Sequence, residues 1–239
     1  MRDDLYYKEG GTMCKKRIAV TIGTSAVTNW LGKKGDDSSQ DLYEVIERGV
    51  SSQDNCDKLE KKIITTAKSI IENGFLQNMQ QTRELLSAEV MTLLTLAAGK
   101  VQAKNGTKVE TITKGDCIDL FYTHSQDGIL AYNINKQVLG MLGFENIGGI
   151  KMEDLSARSF TPLLKKDYFA TLFAGKQPDI AVFSGGFKAL IPPLTHYCKA
   201  KEIPMFCLYE KSERVLRFGP DGTSALPPYT AEEYSEIYG

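Results

Sequence analysis

Short apolar runs that alternate with helical segments are the feature of this sequence that most limits its fold. Buried strands are predicted at Arg17 to Gly23, Asp116 to Thr123 and Asp179 to Ser184. Apolar residues at helical spacing occupy Asp54 to Asn73 and Ser87 to Gly99. Strands that alternate with helices predict an α/β fold, with a Rossmann-like, mostly parallel sheet and helices on both faces.

The second half of the chain continues this alternation and then changes it. A weaker strand is predicted at Asn146 to Met152, and a helix is predicted from Thr161-Pro162 to Gly175. A further helix should follow Gly186, although Pro192-Pro193 must shorten or kink it. The last two apolar runs predict a C-terminal antiparallel hairpin; they are Pro204 to Glu210 and Arg214 to Phe218.

The limits of the domain follow from the polar stretches. Residues 1–16 are predicted to be a loose leader, and Met13 is an alternative start because it directly precedes the first strand. A single domain is predicted over 17–220, and the residues 221–239, rich in proline and acidic side chains, are predicted to be a peripheral tail. Gly32 to Gln40, rich in glycine, aspartate and serine, predicts a surface loop.

Composition excludes several classes of protein. Of the 239 residues, 42% are hydrophobic and 25% are charged, which is a globular balance rather than that of a disordered chain. The formal net charge of −1 lacks the basic excess of proteins that coat long DNA or RNA. No apolar run is long enough to span a membrane, and the polar N-terminus is not a signal peptide. A compact anionic ligand in a local pocket is compatible with these data.

The cysteines and histidines predict neither a metal site nor a disulfide framework. Five cysteines are present, and no two of them are spaced as CxxC. The chain has only two histidines. Cys117 and Cys207 lie in apolar runs, where a buried free thiol is expected. These features favour a reducing, cytoplasmic compartment.

Three strand ends carry polar residues that are suited to binding a ligand. They are Thr24-Ser25, Thr123 to Asp127, and Ser184 to Lys188, called here the first, middle and third tips. In a parallel α/β sheet, ligands bind at the carboxyl ends of the strands, near the point where the strand order reverses. We therefore expect the three tips to meet around one site.

The first tip can hold a phosphate. Gly23 permits a tight turn, and backbone N–H groups together with the hydroxyls of Thr24 and Ser25 are suitable phosphate ligands. The segment is not a P-loop and is not GxGxxG, because neither spacing is present. The alternative is a capped turn between strand and helix that binds nothing.

The third tip combines backbone freedom with a cation. Gly185 and Gly186 let the backbone approach a ligand closely, and Lys188 suits a phosphate or a developing oxyanion. The alternative is a solvated lysine after a flexible turn. In the middle tip, His124 is either a group that titrates near neutral pH or a structural residue, and the sequence leaves both open.

Four of these motifs together resemble a known family. GTS after the first strand, SAE at Ser87 to Glu89, the strand-end THSQDG and SGGFK before a helix are similar to the CARF domain, the CRISPR-associated Rossmann fold. The later run CLYEKSERVLRFGP resembles the closing segment of that family. The resemblance covers Arg17 to Pro220, and its nearest group is the stand-alone ring nucleases. Two residues depart from the pattern, since Ser184 stands where a threonine is expected and His124 is unexpected at the middle tip.

The resemblance implies a homodimer that binds a cyclic oligoadenylate, a second messenger of type III CRISPR antiviral defence. Ring nucleases cleave this ring without a metal or cofactor, by attack of a ribose 2′-hydroxyl on the adjacent phosphorus. Carried over residue by residue, the resemblance makes Ser25 and Lys188 the catalytic residues. It makes these the ligand-binding residues: Thr24, Ser125, Gln126, Asp127, Gly185, Gly186 and Phe187.

Two other functions remain open at this point. One is a sensor that binds the ring without cleaving it and acts through a partner, although the segment after Pro220 is too short for a second effector domain, which favours the nuclease. The other is a nucleotide-binding Rossmann enzyme unrelated to CRISPR. The ring size is also open: cyclic tetra-adenylate is the commoner ligand of the family, and cyclic hexa-adenylate is the alternative.

Overall fold

A computed structural model of the chain describes most of its residues. They are residues 6–7, 13–34, 37–49, 51–74, 85–99, 111–152, 155, 163, 167–173, 176–185, 188–209, 214–226, 230, 232 and 235. The strands are β1 Tyr6–Tyr7, β2 Met13–Cys14, β3 Arg17–Thr21, β4 Cys117–Thr123, β5 Asn146–Met152, β6 Ile180–Val182, β7 Met205–Leu208, β8 Val215–Gly219 and β9 Gly222–Leu226. The helices are α1 Ser25–Lys34, α2 Asp37–Glu47, α3 Gln53–Gly74, α4 Ala88–Ala97, α5 Gln126–Met141, α6 Tyr168–Leu172 and α7 Ile191–Ala200.

The main sheet has seven strands in the order β5-β4-β3-β6-β7-β8-β9. The first five strands in this order pair with one another in parallel, and β3 lies between β4 and β6. The last two strands are antiparallel, β8 to β7 and β9 to β8. The predicted α/β fold, with a mostly parallel sheet and a C-terminal antiparallel hairpin, is confirmed.

Alternate residues of the central strands pack into different cores. Ile18 and Val20 of β3 belong to a large core that is shared with α1, α3, α4 and α5. Ala19 and Ala181 face a smaller core on the other side, which includes residues of α6 and α7. Successive side chains of a strand point to opposite faces, so strands that are buried on both faces read as continuous apolar runs. This explains why the sequence alone located these strands.

The helix that follows β6 begins differently from the prediction. A 3-10 turn at Lys188–Leu190 leads into α7, and Pro192 and Pro193 occupy the first turn of that helix. Proline is tolerated there because the first N–H groups of a helix have no partner within it. The two prolines thus mark the start of α7 and do not kink its interior.

The largely polar elements α2 and β9 were not predicted, and neither were β1 and β2 in the expected leader. The segment Gly32 to Gln40 was expected to be a loop, but α1 continues to Lys34 and α2 begins at Asp37. The expected tail contains β9, which forms the exposed edge of the sheet and buries Leu226 against the main core. The main sheet therefore extends past 220, to Leu226. Much of the predicted helix at Thr161-Pro162 lies outside the described residues.

The expectation of a free thiol at Cys117 is wrong. Cys117 forms a disulfide with Cys14, and the two Cα atoms are 5.6 Å apart, within the usual range for such a bond. Cys14 is fully buried, and β2 pairs with β1, so this part of the predicted leader is tied to the start of β4. The pairing brings together residues 103 positions apart, which spacing alone does not reveal. Cys207 is a free thiol, as expected, but it is half-buried rather than buried.

None of the helices in the described part of the chain is long and apolar enough to cross a bilayer.

Candidate functional site

The strand order places the candidate site between β3 and β6. The chain runs outward from β3 to β5 on one side and from β6 to β7 on the other, so the order reverses between β3 and β6. The two strands are in register, with Ile18 opposite Ile180 and Val20 opposite Val182. Their carboxyl ends lead directly into the first and third tips, as expected from the sequence. A crevice outside such a switch point is where open α/β sheets bind ligands.

The first tip is held by a buried glutamate. The Gly23 N–H donates to Glu89 Oε1 at 2.6 Å, and the Ser25 hydroxyl lies 3.3 Å from Glu89 Oε2, to which it donates. Ser25 is half-buried and begins α1, so the start of that helix lies at the carboxyl end of β3. A helix N-terminus favours an anion because its first N–H groups are unpaired and its dipole is positive there.

Glu89 comes from α4, which is apolar nearly all round. Its N-cap is Ser87, whose hydroxyl accepts from the Val90 N–H at 3.2 Å. The carboxyl of Glu89 is 1% exposed, and this burial raises its pKa above the ordinary glutamate value. Hydrogen bonds from Gly23, from its own backbone, and from Ser87 and Ser25 act in the opposite direction. Burial is the larger effect, because desolvation disfavours the charged form.

The third tip is fixed by the neighbouring strands and by α4. The Thr21 hydroxyl donates to the Gly185 carbonyl at 2.7 Å, which links the end of β3 to the exit of β6. The Ser184 hydroxyl accepts from the Leu208 N–H at 2.8 Å and shares a hydrogen bond with the Thr92 hydroxyl at 2.6 Å. A hydroxyl is needed at 184 for these contacts, and serine supplies it where the resemblance led us to expect threonine.

Gly185 lies against the first tip without room for a side chain. A Cβ at this position would be 2.7 Å from Glu89 Cδ and 2.9 Å from the Gly23 backbone nitrogen. The glycine thus lets the backbones of the two tips approach each other.

The rest of the third tip is only partly described. Gly186 and Phe187, both predicted ligand-binding residues, lie outside the described residues. Lys188 begins the 3-10 turn and is exposed. Because consecutive Cα atoms are about 3.8 Å apart, the Lys188 Cα lies within about 11 Å of the Gly185 Cα. The lysine is therefore close in the chain to the crevice, at the same end of the sheet as Ser25.

The middle tip is occupied by contacts within the chain. The hydroxyls of Thr123 and Ser125 are 2.8 Å apart, and Ser125 makes no side-chain hydrogen bond as the N-cap of α5. The Gln126 amide donates to the Ser51 carbonyl at 2.9 Å, across to the segment between α2 and α3. Within the described residues, the buried Gln126 Oε1 has no hydrogen-bond partner. Asp127 is half-buried in the first turn of α5, and His124 is exposed.

Tyr43 of α2 links the first and middle tips, and the sequence analysis missed it. Its ring is buried, and burial raises the pKa of its hydroxyl to about 12. The Thr24 side chain lies close enough to lower this pKa and the Asp127 carboxylate close enough to raise it, although no group of the described chain meets the hydroxyl with hydrogen-bond geometry. Thr24 and Asp127, both predicted ligand-binding residues, thus lie around one buried phenol.

Two cavities in the described part of the chain lie elsewhere. One, of about 20 Å³, is lined by residues of α1, α2 and α3, including Trp30 and Lys62. The other is a groove of about 260 Å³ between α3 and α5, lined mainly by polar and charged side chains such as Glu60 and Gln137. Neither is lined by a residue of the tips. The chemistry that the sequence predicts is concentrated at the switch point and not in these cavities.

The structure brings Ser25, Gly23 and Gly185 together with Glu89, and it places Thr24 and Asp127 near Tyr43. Glu89 was singled out in the SAE motif but was not predicted to be a site residue. One signal was available: it is the one acidic residue in the helix AEVMTLLTLA, whose other residues are apolar or threonine. A helix that is apolar on all sides is buried, so its single carboxyl must be buried with it.

Comparisons with known proteins add no assignment. No protein-family model matches the chain, and no curated protein matches it.

Proposed function

We propose that the chain is a ring nuclease, which binds a cyclic oligoadenylate and cleaves it to end type III CRISPR signalling. The observation that supports this most is the meeting of the first and third tips at the switch point. Ser25 lies there at the start of α1, Gly185 approaches the backbone of Gly23, and Lys188 follows three residues later. The motifs that resemble the CARF domain contribute these same residues.

The proposed binding chemistry is that of a phosphodiester. The N-terminus of α1 and the Ser25 and Thr24 hydroxyls are donors for phosphate oxygens. Lys188 supplies a positive charge, and no ion pair joins it to the part of the chain that the structure describes. A lysine without a fixed partner is suited to an anionic ligand, because binding does not first break an ion pair.

The proposed reaction asks the protein for positioning and charge stabilisation. The 2′-hydroxyl of one ribose attacks the adjacent phosphorus, the O2′–P bond forms, and the P–O5′ bond breaks. The products are a 2′,3′-cyclic phosphate and a 5′-hydroxyl. Ser25 positions the reacting groups, and Lys188 stabilises the negative charge that builds up on the phosphoryl oxygens. An activated water is not required, so we propose a metal-independent reaction.

Cleavage by the purified protein is the direct test. We expect labelled cyclic tetra-adenylate to be converted into linear products that end in a 2′,3′-cyclic phosphate, at the same rate in excess EDTA as without it. Cyclic hexa-adenylate is tested in parallel, because the sequence leaves the ring size open. Loss of cleavage in EDTA and its return with magnesium or manganese would contradict the proposed mechanism.

Two other results would assign a different function. Tight binding of the ring with no linear product would make the chain a sensor. A rise in melting temperature with NAD or a nucleotide sugar, but not with either ring, would indicate a nucleotide-binding enzyme, since Rossmann enzymes bind dinucleotides at the same switch point. Mass action makes this shift a measure of affinity for the folded state.

We further propose that the active form is a homodimer. A ring of repeated identical units suits a two-fold-symmetric site, and isologous dimers are the commonest oligomers. Light scattering is expected to give twice the chain mass in the presence and absence of the ring. A mass of one chain under both conditions would count against the shared site.

The cytoplasm is the proposed compartment, although the cysteines no longer support it. The Cys14–Cys117 disulfide is unusual for a reducing compartment. The proposal rests on the proposed substrate alone.

A further inference from the structure

A second acid–base group lies directly beneath the proposed reacting residues. Glu89 is buried between the first and third tips, within reach of both the Gly23 backbone and the Ser25 hydroxyl. It is also packed so closely under Gly185 that no other residue fits at 185 without displacing it. The carboxyl thus contacts the two tips that form the proposed crevice.

Burying the Glu89 carboxyl costs free energy, and its structural contacts alone do not require a carboxyl. A buried ionisable group is usually paired with a charge, but the hydrogen bonds to the Glu89 carboxyl come from neutral donors, the Gly23 backbone N–H and the Ser25 hydroxyl. An amide at this position would accept the same backbone hydrogen bond without the cost of burying a charge. A carboxyl that is kept in such a place, directly beneath a candidate ligand site, is a candidate for proton transfer.

The direction of the hydrogen bonds defines what Glu89 can do. The Ser25 hydroxyl donates its proton to Glu89 Oε2, which leaves the lone pairs of Ser25 Oγ available to an incoming donor. The Gly23 N–H at Oε1 holds the carboxyl plane in place at 2.6 Å. A ribose hydroxyl that approaches Ser25 would therefore meet an acceptor, Ser25 Oγ, which is itself hydrogen-bonded to a stronger base, the Glu89 carboxylate.

We propose that Glu89 is a positioning residue that orients Ser25 and accepts its proton while the ribose 2′-hydroxyl attacks. This inference rests on the proposed ring-nuclease function.

The proton transfers balance in the following way. As the O2′–P bond forms, the 2′-hydroxyl proton passes to Ser25 Oγ, and the proton of Ser25 passes to Glu89 Oε2. The P–O5′ bond breaks with its electron pair, and the leaving O5′ takes a proton from solvent. Glu89 then returns its proton to solvent through the Ser25 hydroxyl, and Ser25 is regenerated unchanged. No oxidant, metal or covalent intermediate is needed.

The relay predicts a definite pH dependence. Only ionised Glu89 accepts a proton, so the cleavage rate should rise with pH as this carboxyl ionises. Burial places that rise above the ordinary range of glutamate. The first tip brings no titratable side chain to Glu89, and the third tip carries the exposed Lys188. On β7, which packs on α4, the half-buried Cys207 lies on the sheet face of Met205, opposite the face that α4 covers. The pKa of Cys207 is itself raised by burial, so its thiol remains neutral through this rise.

The test uses Glu89→Gln, which retains the shape of the side chain and its hydrogen bond from Gly23. We expect unchanged ring binding, a single-turnover cleavage rate lower by about 10²–10³-fold, and loss of the rise in rate with pH. Glu72→Gln, an exposed residue of α3, is the matched control, and it should cleave like the wild type. Binding and circular dichroism of each variant show that the fold is intact.

A double variant separates proton transfer from a structural role. If Ser25 and Glu89 act as one relay, Ser25→Ala combined with Glu89→Gln should cleave no more slowly than the slower single variant. Additive losses, or a Glu89→Gln variant with the wild-type rate and pH profile, would overturn the relay and leave the proposed nuclease standing. If Glu89→Gln does not fold, Ser25→Ala alone must abolish the rise in rate, and retention of that rise overturns the relay. Wild-type protein that leaves both rings intact overturns the nuclease and the relay together.

Discussion

Lys188→Ala is expected to lower single-turnover cleavage of the ring by about 10²–10³-fold, the usual cost of removing one preorganised donor to a developing charge. Ring binding should weaken as well, because the ligand is already anionic in its ground state. Rapid-quench cleavage and equilibrium binding, measured separately, distinguish the two effects. The rate measured at saturating protein reports the chemical step alone.

Two variants serve as controls for this result. Lys199→Ala removes an exposed lysine from the last turn of α7 and should change neither rate nor binding. Lys188→Arg retains the charge and should recover part of the lost rate, since guanidinium also binds phosphate. A Lys188→Ala variant with the wild-type rate would show that the charge is supplied elsewhere, even if the fold is as described.

The central strands β3 and β6 were predictable because they are buried on both faces. They therefore appear in the sequence as continuous apolar runs, and the first and third tips follow directly from their ends. The same reasoning fails for β9, since its residues Gly222–Leu226 are mostly exposed and its one buried side chain is Leu226. An edge strand needs no apolar run, so the pattern that finds central strands misses it.

Helix α2 was missed for a related reason. It begins in a polar stretch that reads as a loop, and the residues it buries, such as Tyr43 and Ile46, lie beyond that stretch. This helix matters for the site because it places Tyr43 beside Thr24. Contacts of this kind depend on how helices pack over the sheet, and no spacing within the sequence encodes them directly.

The role of Glu89 shows where reasoning from local sequence ends. In the sequence it is an acidic residue in the first turn of a helix, which the helix dipole is sufficient to explain. In the structure it is buried beneath two strand tips. Gly23 and Ser25 at the end of β3 lie 66 and 64 residues before it in the chain, and Gly185 at the third tip lies far after it. Burial of a charge is a tertiary property, and the apolar helix around Glu89 was its one local sign.

Gly185→Ala is expected to damage both the stability and the activity of the protein. The added Cβ would lie 2.7 Å from Glu89 Cδ and 2.9 Å from the Gly23 backbone nitrogen, which is too close for either contact. One of these groups is backbone, so the first and third tips must move apart. Overpacking of this kind typically costs about 1–3 kcal/mol of the free energy of unfolding, which urea unfolding measures.

The cleavage rate should fall further than the stability loss explains, because the shift separates Ser25 from Glu89 and misaligns the phosphate. Misplacement of a reacting group by about 1 Å can cost about 10²-fold in rate. Gly140→Ala is the matched control: Gly140 is an exposed residue of α5 with nothing within 4 Å of the added Cβ. It should raise the free energy of unfolding by about 0.5–1 kcal/mol, since alanine is the better helix former, and leave cleavage unchanged. If Gly185→Ala instead unfolds and cleaves like the wild type, the two tips do not meet as closely as described, and the proposed site loses the contact that assembles it.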